Sequence, residues 1–503
     1  MPARRRRLMI LHFYTYRLLE WTRRCVQVIG TKRCAMAIVD VADEMASVSL
    51  GDKRRNRRAT EIARRLQTQP AASFPSLFGE AALEGFYRFT NNESVTPTAL
   101  LEPHRRASWG RAQGAGGLRL VVHDSTEFTF PGEKVRRGLP RSGGESTYQC
   151  HLSLLVEYVE APVVLGVVGM RNYLLEAGVW SEAAEDGTLR QLACGSERWR
   201  DAVTATREEA PRDAPLVHVM DREADDYPLL CVVIAGGDDL VVRSYQNRNI
   251  TGDIPHLKQA LQRAPTLVER DVWLSRRTGL RPPAALKKHP TRDTRPARLS
   301  IRSGSVRVKR SGGADKALPD GLDLNLVEVF ELDPPEGEEP VHWRLLTTLP
   351  VETAADAEHV VDIYRKRWLI EEYFRALKTG CAIDTRQAES REALFNTVAL
   401  LAPVAVRLLQ LRALARHSPS KPAVGLLDGV ELASLRRLAP KPELPPQPTY
   451  EQLLGAIALL GGHLKSNGTP GWIVLGRGFE RLQRFADGWR AALRASTDGG
   501  LEM

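Results

Sequence analysis

The chain has 503 residues, of which 43% are hydrophobic and 26% charged, so it is not mainly disordered and is long enough for about three domains. Lys and Arg outnumber Asp and Glu by 71 to 61, and the net charge of +10 indicates a polyanionic partner. The excess is local, because residues 1–70 hold 16 basic and 6 acidic side chains while the other 433 hold 55 of each. Six scattered Cys residues lack zinc-site spacing, and no run of 18 apolar residues predicts a membrane span.

Residues 1–35 fit poorly with the sequence that follows them, and Met36 opens an alternative start. We interpret 1–35 as a doubtful N-terminal extension, which carries a net charge of +8 and leaves the rest of the chain at only about +2. The apolar run near Met1 has no small-residue cleavage site, so we predict no secretory signal and a reducing cytoplasm.

A helical domain is predicted over 36–105. The stretch LGDKRRNRRATEIARRLQTQP places arginines around a helical repeat whose apolar positions are Ile62 and Leu66. A second helix is predicted from about Gly79 to Thr90. Helices with a basic face form DNA-binding heads, although a solvated charged helix is the alternative. The candidate DNA contacts are Arg54, Arg57 and Arg58.

The middle of the chain predicts an α/β fold. Short apolar runs predict buried strands at 118–122, 152–156, 163–168 and 216–220, with a hairpin near 160–162. Asp124 and Asp221 are predicted to end the first and last of these strands. A single Asp at a strand end is more often a turn or cap residue, but two in the same format favour a site at the carboxyl edge of a sheet.

The later elements alternate in character. Basic and apolar residues alternate over 246–342, which predicts a β-rich insertion with one basic face. Amphipathic and then very apolar helices are predicted over 354–378 and 393–416. The remaining divisions are a first core part at 106–245, a second core part at 343–417, a Pro-rich linker at 418–448 and a helical C-terminal domain at 449–503.

One face of the helix over 354–378 collects polar side chains. Tyr364, Arg367, Glu371 and Lys378 fall within about 60° at 100° per residue. An exposed face with an Arg367–Glu371 ion pair is the plainer interpretation. A Tyr and a Lys in line with that pair make a functional stripe more plausible.

The three acids Asp124, Asp221 and Glu371 would together suit two divalent cations about 4 Å apart. Mg²⁺ takes few carboxylates and completes its shell with water and phosphate oxygens. The reaction class implied is phosphodiester hydrolysis and transesterification. The cations of the helical face would then hold the phosphates of the scissile strand.

These residues resemble the DDE transposases of the IS-four insertion-sequence family, the Tn-five type in particular. The resemblance rests on Asp124, on DREAD at 221–225 and on the Y-x2-R-x3-E-x6-K spacing from Tyr364 to Lys378. Further blocks similar to the family are LGDKRRNRRA, EGFYRFTNN, VVRS, RLLTTLPVE, PVAVRLLQLR and GAIALLGGHLKSNGTPGW. The likeness extends from about 49 to 488.

The resemblance implies an α/β fold with an RNase H-like catalytic core, an inserted β-rich subdomain and flanking helical domains, the last of them for dimerisation. It implies cut-and-paste transposition through a DNA hairpin, with two Mg²⁺ or Mn²⁺ ions per active site. The metal ligands would be Asp124, Asp221 and Glu371, and the DNA contacts Tyr364, Arg367 and Lys378. The implied partners are double-stranded DNA, as element ends and target, and a second copy in a synaptic complex. No membrane is implied, and the setting is a bacterial cytoplasm with nucleoid association when bound.

The resemblance implies three more DNA contacts. Trp343 lies 21 residues before Tyr364, where the family has a Trp that stacks on a flipped base; a core Trp is the alternative. Arg243, 22 residues after Asp221, matches a DNA-contacting Arg, and an Arg bordering a strand is an equal alternative. Arg375 stands where the family has Lys, which keeps the charge but not the compact ammonium.

Two other functions remain open. One is a transposition-inactive DNA-binding relative that inhibits through mixed dimers, which the retained acidic triad argues against. The other is an RNase H-like structure-selective nuclease, over which the basic N-terminal helices and Trp343 favour a transposase.

Overall fold

A computed structural model describes residues 38–132, 135–185, 187–212, 214–274, 291–439, 444–464 and 470–497. The doubtful extension at 1–35 lies outside these residues. The described chain divides into two compact units. The first unit comprises 114–123 and 199–367, and the second unit comprises 38–113, 124–198 and 368–497.

The described helices are α1 (Val41–Met45), α2 (Lys53–Thr68), α3 (Phe74–Leu77), α4 (Glu80–Thr90), α5 (Pro97–Gln113), α6 (Glu197–Glu209), α7 (Tyr227–Ala235), α8 (Leu257–Arg263), α9 (Ala354–Arg365), α10 (Trp368–Arg375), α11 (Arg391–His417), α12 (Gly429–Leu438), α13 (Tyr450–Leu460) and α14 (Trp472–Thr497). The strands are β1 (Leu118–Phe130), β2 (Arg141–Ser142), β3 (Glu145–Tyr158), β4 (Val163–Glu176), β5 (Val179–Ala183), β6 (Leu189–Gln191), β7 (Leu216–Met220), β8 (Asp239–Arg243), β9 (Thr266–Leu274), β10 (Arg295–Lys309), β11 (Gly321–Leu332) and β12 (His342–Thr347). Single turns occur at Arg222–Ala224, Ala376–Gly380 and Ile383–Thr385.

The first unit contains a large mixed sheet in the order β1-β7-β8-β12-β11-β10-β9. Strands β1, β7 and β8 are parallel, and the remaining neighbours are antiparallel. Every residue of β7 is buried, as expected for a parallel strand covered on both faces. In the register of β1 and β7, Val122 pairs with Val219. The predicted strand at 216–220 is therefore present, and residues 246–342 contain the strands β9, β10 and β11.

A chain of buried polar side chains crosses the parallel strands. His123 Nε2 on β1 lies 2.8 Å from His218 Nδ1 on β7, and His218 Nε2 lies 3.2 Å from Asp238 Oδ2. Asp238 also accepts a hydrogen bond from Arg207 of α6 (2.8 Å). Each buried group thereby receives a partner, which offsets the cost of removing it from water.

The second unit is organised around α11, whose residues 391–417 are mostly buried. Side chains of α11 bind backbone groups of the N-terminal helices. Gln410 Oε1 accepts from the Val39 N–H (2.8 Å), and Asn396 donates to the carbonyls of Thr90 (3.0 Å) and Val95 (2.7 Å). Within the second unit, the N-terminal segment is thus fixed to α11 by buried hydrogen bonds.

By length and composition α11 could cross a membrane, but 78% of its most apolar window is buried inside the protein. Such burial is typical of a core helix.

Near the C-terminus, α13 and α14 approach each other closely at two glycines. A Cβ on Gly461 would lie 1.7 Å from the Val474 carbonyl, and a Cβ on Gly478 would lie 1.9 Å from the Ile457 carbonyl. Gly461, which belongs to the GAIALLGGHLKSNGTPGW block, and Gly478, which follows it, therefore permit close helix packing.

Strand β1 is longer than predicted. It continues through Asp124 to Phe130, so the prediction that Asp124 ends a strand is wrong. Beyond Asp124 the residues alternate, with Thr126, Phe128 and Phe130 buried. This period of two is the pattern of a strand with one covered face.

The helix predicted over 354–378 is not continuous. Helix α9 ends at Arg365, and the N–H groups of Lys366 and Arg367 bond to carbonyls three residues back (3.0 Å each) before α10 begins at Trp368. A π-helical turn then follows at Ala376–Gly380. The prediction that four polar side chains share one 60° face assumed a continuous helix over 364–378 and therefore does not apply across these breaks. No Gly or Pro stands between 364 and 378 to indicate them.

The Pro-rich stretch at 418–448 also contains a helix, α12, which begins with a capping box formed by Asp428 and Glu431.

Candidate active site

Asp221 follows β7 directly, as predicted. Its carboxylate accepts a hydrogen bond from the Glu223 N–H (2.8 Å) and so caps the short turn Arg222–Ala224. The side chain is half-buried. Asp221 therefore occupies the carboxyl end of a buried parallel strand, where open α/β sheets commonly place ligands.

Four other predicted site residues join Asp221 in the first unit. We call Asp221, Arg243, Trp343, Tyr364 and Arg367 the Asp221 cluster. Burial raises the pKa of the Tyr364 hydroxyl; Arg367, which hydrogen-bonds to it, and Arg243 lower that pKa, while Asp221 raises it. The net shift is upward, so the hydroxyl keeps its proton at neutral pH and can donate a hydrogen bond.

Trp343 packs against Tyr364. Their ring centroids lie 5.4 Å apart in an edge-to-face arrangement, and the indole is half-buried. Arg243 ends β8 opposite Leu345 of β12, and its guanidinium donates to the carbonyl of His342 (3.2 Å). The neighbouring strands β8 and β12 therefore hold the Arg and the Trp close to Tyr364.

Asp124 belongs to the second unit. It is half-buried in β1, and its carboxylate accepts a hydrogen bond from the Ser125 N–H (2.8 Å). Ser125 Oγ lies 3.0 Å from His151 Nδ1 on β3. Burial lowers the pKa of His151 to about 3, with Arg198 and Arg171 acting in the same direction. The neutral ring thus ties β1 to β3 immediately after Asp124.

Lys378 also lies beside β1 within the second unit. Its ammonium donates to the carbonyl of Glu127 and lies 5.4 Å from the centroid of the Phe128 ring. Burial lowers the pKa of Lys378, while Asp384 and Glu127 raise it. Asp384 was missed from the sequence, because no local pattern connects it with a lysine in the preceding turn.

Glu371 lies in the first turn of α10 and is half-buried. Its neighbour Glu372 pairs with Arg375 (2.5 Å) and with Arg412 of α11 (2.6 Å). The Arg375 guanidinium also lies 5.0 Å from the centroid of the Trp368 ring. Glu372 therefore holds α10 to α11, while the role of Glu371 as a metal ligand stays a prediction.

The arginines of α2 fall into exposed and packed groups. Arg54 and Arg57 are exposed, together with Lys53 and Arg64. Arg58 is half-buried, and its guanidinium would lie 2.6 Å from a Cβ on Gly85. Lys53, Arg57 and Arg64 fall within about 40° of one another around the helix. The exposed stripe fits a DNA contact, and Arg58 has a packing role against α4.

The LGD segment starts α2. Leu50 is buried, Gly51 adopts a positive φ of 74°, and Asp52 accepts hydrogen bonds from the N–H groups of Arg54 (2.7 Å) and Arg55 (3.1 Å). These backbone hydrogen bonds lower the pKa of Asp52. LGD is therefore a helix N-cap in which glycine permits the left-handed residue.

Four arginines of β10 are paired with acids of the neighbouring strands. Arg295 pairs with Glu331, Arg302 with Glu328 (2.7 Å) and Arg307 with Asp323 (2.8 Å). Arg298 likewise pairs with Glu269 (2.5 Å). The basic face predicted for these strands is thus balanced by carboxylates on the neighbouring strands.

A divalent metal would need hard oxygen ligands, which the three predicted carboxylates supply. Among the residues described above, no group of three or more His, Cys, Asp or Glu side chains could hold a metal ion. Val122 and Val219, which pair in register, each stand two residues before an aspartate, Asp124 and Asp221. Carboxylate oxygens are ligands that hard divalent cations prefer, and water and phosphate oxygens would have to complete the shell.

Two family models match the chain. A model described as transposase DNA-binding matches residues 41–95, and a model described as transposase DDE domain matches residues 243–406. The second match includes Trp343, Tyr364 and Glu371 and begins at Arg243. With its helices and its large mixed sheet, the fold is consistent with an RNase H-like core. The chain therefore joins a transposase DNA-binding domain to a DDE transposase domain, the two domains of a DDE transposase.

Proposed function

We propose that this protein carries out cut-and-paste transposition of an insertion sequence of the IS-four family, and that its catalytic core is RNase H-like. The observation that carries the proposal is the Asp221 cluster. A carboxylate at a strand end, two guanidinium groups and a protonated phenol converge there. Such a set suits a phosphodiester, whose oxygens accept from the donors while the carboxylate holds a cation.

Each residue of the cluster has a distinct part. Arg367 and Arg243 would bind phosphate oxygens, and the Tyr364 hydroxyl would donate a further hydrogen bond to the strand. In the second unit, Lys378 donates to the carbonyl of Glu127 on β1, the strand that also carries Asp124, and would bind a phosphate of the DNA. These contacts orient the scissile bond before any chemistry occurs.

We assign Asp124, Asp221 and Glu371 as ligands of two Mg²⁺ or Mn²⁺ ions. Asp124 is assigned from the sequence pattern, and Asp221 is supported by its place directly after the buried parallel strand β7. The position of Glu371 inside the DDE match supports its assignment. When bound, such ions would activate a water or a 3′-hydroxyl and stabilise the leaving oxygen.

We further propose a DNA hairpin intermediate in which Trp343 receives an unstacked base. Its indole is half-buried against Tyr364, which would hold the ring in place while leaving part of it accessible. Unstacking a base costs a few kcal/mol, and an aromatic surface offsets part of that cost.

Double-stranded DNA and a second copy of the chain are the proposed partners. On α14, Phe485 and Leu493 are exposed (39% and 48%), and Trp489 packs edge-to-face on Phe485 at 6.1 Å. These residues are spaced by four and form one apolar stripe. The stripe supports a role of the C-terminal helices in a synaptic dimer.

The test uses purified protein, Mg²⁺ and DNA bearing the inverted repeats that flank the coding sequence. The expected product is excised DNA with hairpin ends, resolved on a denaturing gel. Glu371→Ala should abolish cleavage, whereas Glu451→Ala, an exposed glutamate in the first turn of α13, should cut like wild type. Equal cleavage by wild type and Glu371→Ala would overturn the assignment of the acids.

A structure-selective nuclease is the alternative that shares the core. It would cut branched or flapped DNA without inverted repeats and would join no strand to a target. The match of residues 41–95 to a transposase DNA-binding family favours the transposase.

A further inference from the structure

The last residue of DREAD, Asp225, is almost completely buried (3% exposed), yet it is an acid. Its carboxylate accepts four hydrogen bonds, all from the segment that follows β8. The donors are Ser244 Oγ (3.2 Å), Tyr245 N–H (2.7 Å), Gln246 N–H (2.8 Å) and Arg248 Nε (2.7 Å). We call residues 244–248 the Asp225-bound turn.

The backbone of Asp225 strengthens the same attachment. Its carbonyl accepts hydrogen bonds from Gln246 Nε2 (3.1 Å) and from the Arg248 guanidinium. Arg248 is itself buried, at 5% exposure, and its other arm reaches Ser311 Oγ (3.2 Å). A buried, fully bonded ion pair of this kind is a weak source of stability but a strong constraint on geometry.

The opposite side of the turn is fixed to β12. The Ser244 N–H donates to the carbonyl of Arg344 (2.7 Å), the residue after Trp343. The turn is therefore held between the DREAD segment and the strand that carries Trp343. Arg243, at its entrance, belongs to the Asp221 cluster.

Tyr245 is the most exposed tyrosine among the described residues, at 69%. Its backbone N–H is bound by Asp225, so an exposed aromatic ring is attached to a rigid main chain. Two residues of extended chain span about 7 Å. A strand whose phosphate is bound by Arg243 would therefore bring an adjacent nucleotide within reach of the Tyr245 ring.

We propose that Asp225 is a positioning residue that fixes the Asp225-bound turn, and that the turn presents Tyr245 to stack on a nucleotide of the bound DNA strand. The inference rests on the proposed function, because it assigns the strand to the Asp221 cluster. Stacking of a base on an aromatic side chain is independent of sequence, since every base has a π face. Tyr245 would therefore contribute affinity and placement without contributing to sequence recognition.

The test uses duplexes with the flanking inverted repeat in which 2-aminopurine replaces one base at a time. The protein is the full chain carrying Asp221→Asn, which retains the cap and prevents turnover. We expect a change in emission at one or two adjacent positions near the cleavage site. Adding Tyr245→Ala should remove that change and weaken binding about tenfold, whereas Tyr245→Phe should preserve both.

The role of Asp225 is tested with Asp225→Asn combined with Arg248→Gln, which exchanges the buried ion pair for neutral hydrogen-bonding groups. A weaker 2-aminopurine signal with an unchanged melting temperature is the expected result. If this double variant fails to fold, Ser244→Ala removes one bond to Asp225 and should lower the same signal in part. An unchanged signal in a folded variant would overturn the positioning role.

The outcomes separate this inference from the proposed function. Cleavage by wild type, with Tyr245→Ala indistinguishable in emission and affinity, would overturn the stacking role and leave the transposase proposal intact. A Tyr245-dependent signal in a wild-type protein that never cleaves would overturn the transposase proposal and leave the stacking role intact.

Discussion

The first unit contains two regions with arginines, and the side chains that surround the arginines differ between the two. In strands β10 and β11 of the insertion, Arg302 and Arg307 each face a carboxylate at hydrogen-bond distance. In the Asp221 cluster, Arg243 and Arg367 act on one tyrosine hydroxyl beside one carboxylate. The arginines of β10 are thus paired with carboxylates of neighbouring strands, whereas the cluster places two guanidinium groups close to a tyrosine hydroxyl and to Asp221. We expect a bound phosphate to contact the second region rather than the first.

The largest expected effect comes from removing the acid of the cluster. Asp221→Asn keeps an acceptor for the Glu223 N–H, so the fold should persist. Loss of the carboxylate should lower the cleavage rate by at least about 1000-fold, corresponding to about 4 kcal/mol. The measurement is single-turnover cleavage of end DNA, with Asp253→Asn, an exposed loop residue of the same unit, as control. If both variants lost a comparable part of the cleavage rate, Asp221 would have no greater role in cleavage than an exposed carboxylate elsewhere in the unit.

A smaller effect is expected at Trp343. Trp343→Ala should leave the first nick intact and slow hairpin formation by about 10- to 100-fold, because an unstacked base loses its aromatic partner. The two steps are followed on one denaturing gel. Trp273→Ala is the matched control, since Trp273 of β9 is 74% exposed in the same unit. Normal hairpin formation by Trp343→Ala would make this Trp a packing residue only.

In the insertion, the expected effect is on stability. Burial raises the pKa of Glu331, but hydrogen bonds from Arg295 and the Val341 N–H, with the charge of Arg295, hold it below its usual range. Glu331→Gln should lower the free energy of unfolding by about 2 kcal/mol at pH 7 and leave DNA affinity unchanged.

The sign of its pH dependence follows from the lowered pKa. The stabilisation by Glu331 is fully present above the unfolded pKa of about 4.5 and is lost as pH falls through the folded value. Denaturant unfolding of wild type and Glu331→Gln should therefore converge below about pH 4. A difference that persists there, or a weaker affinity for DNA at pH 7, would contradict the balanced-sheet interpretation.

The smallest effect is expected on α2. Arg57→Ala should weaken DNA binding about three- to fivefold and reduce the salt slope of binding by about one. Arg307→Ala is the control: Arg307 is half-buried, with 40% of its side chain exposed, and pairs with Asp320 and Asp323. Binding isotherms at several salt concentrations measure both. Equal salt slopes of DNA binding for the two variants would mean that ion pairing with a carboxylate does not determine which arginines contact DNA.

Local patterns predicted the elements that depend on local chemistry. The apolar run of β7, the aspartate after it and the buried α11 all follow from hydrophobic periodicity. The breaks around Arg367 were not predicted, because no Gly or Pro stands there to indicate them. Some partners could not be predicted because they lie far apart in the chain. Arg302 pairs with Glu328, and Arg248 donates to Asp225, and the pattern of a single sequence does not show which distant residues meet.

The attachment of the N-terminal helices to α11 determines what a truncated gene would encode. Asn396 and Gln410 satisfy backbone groups at Val39, Thr90 and Val95, so the N-terminal helices depend on residues encoded some 300 codons downstream. A copy of the gene that loses its 3′ half would encode helices whose buried carbonyls lack donors. We therefore expect such deletions to leave N-terminal helices that do not fold by themselves and are rapidly degraded.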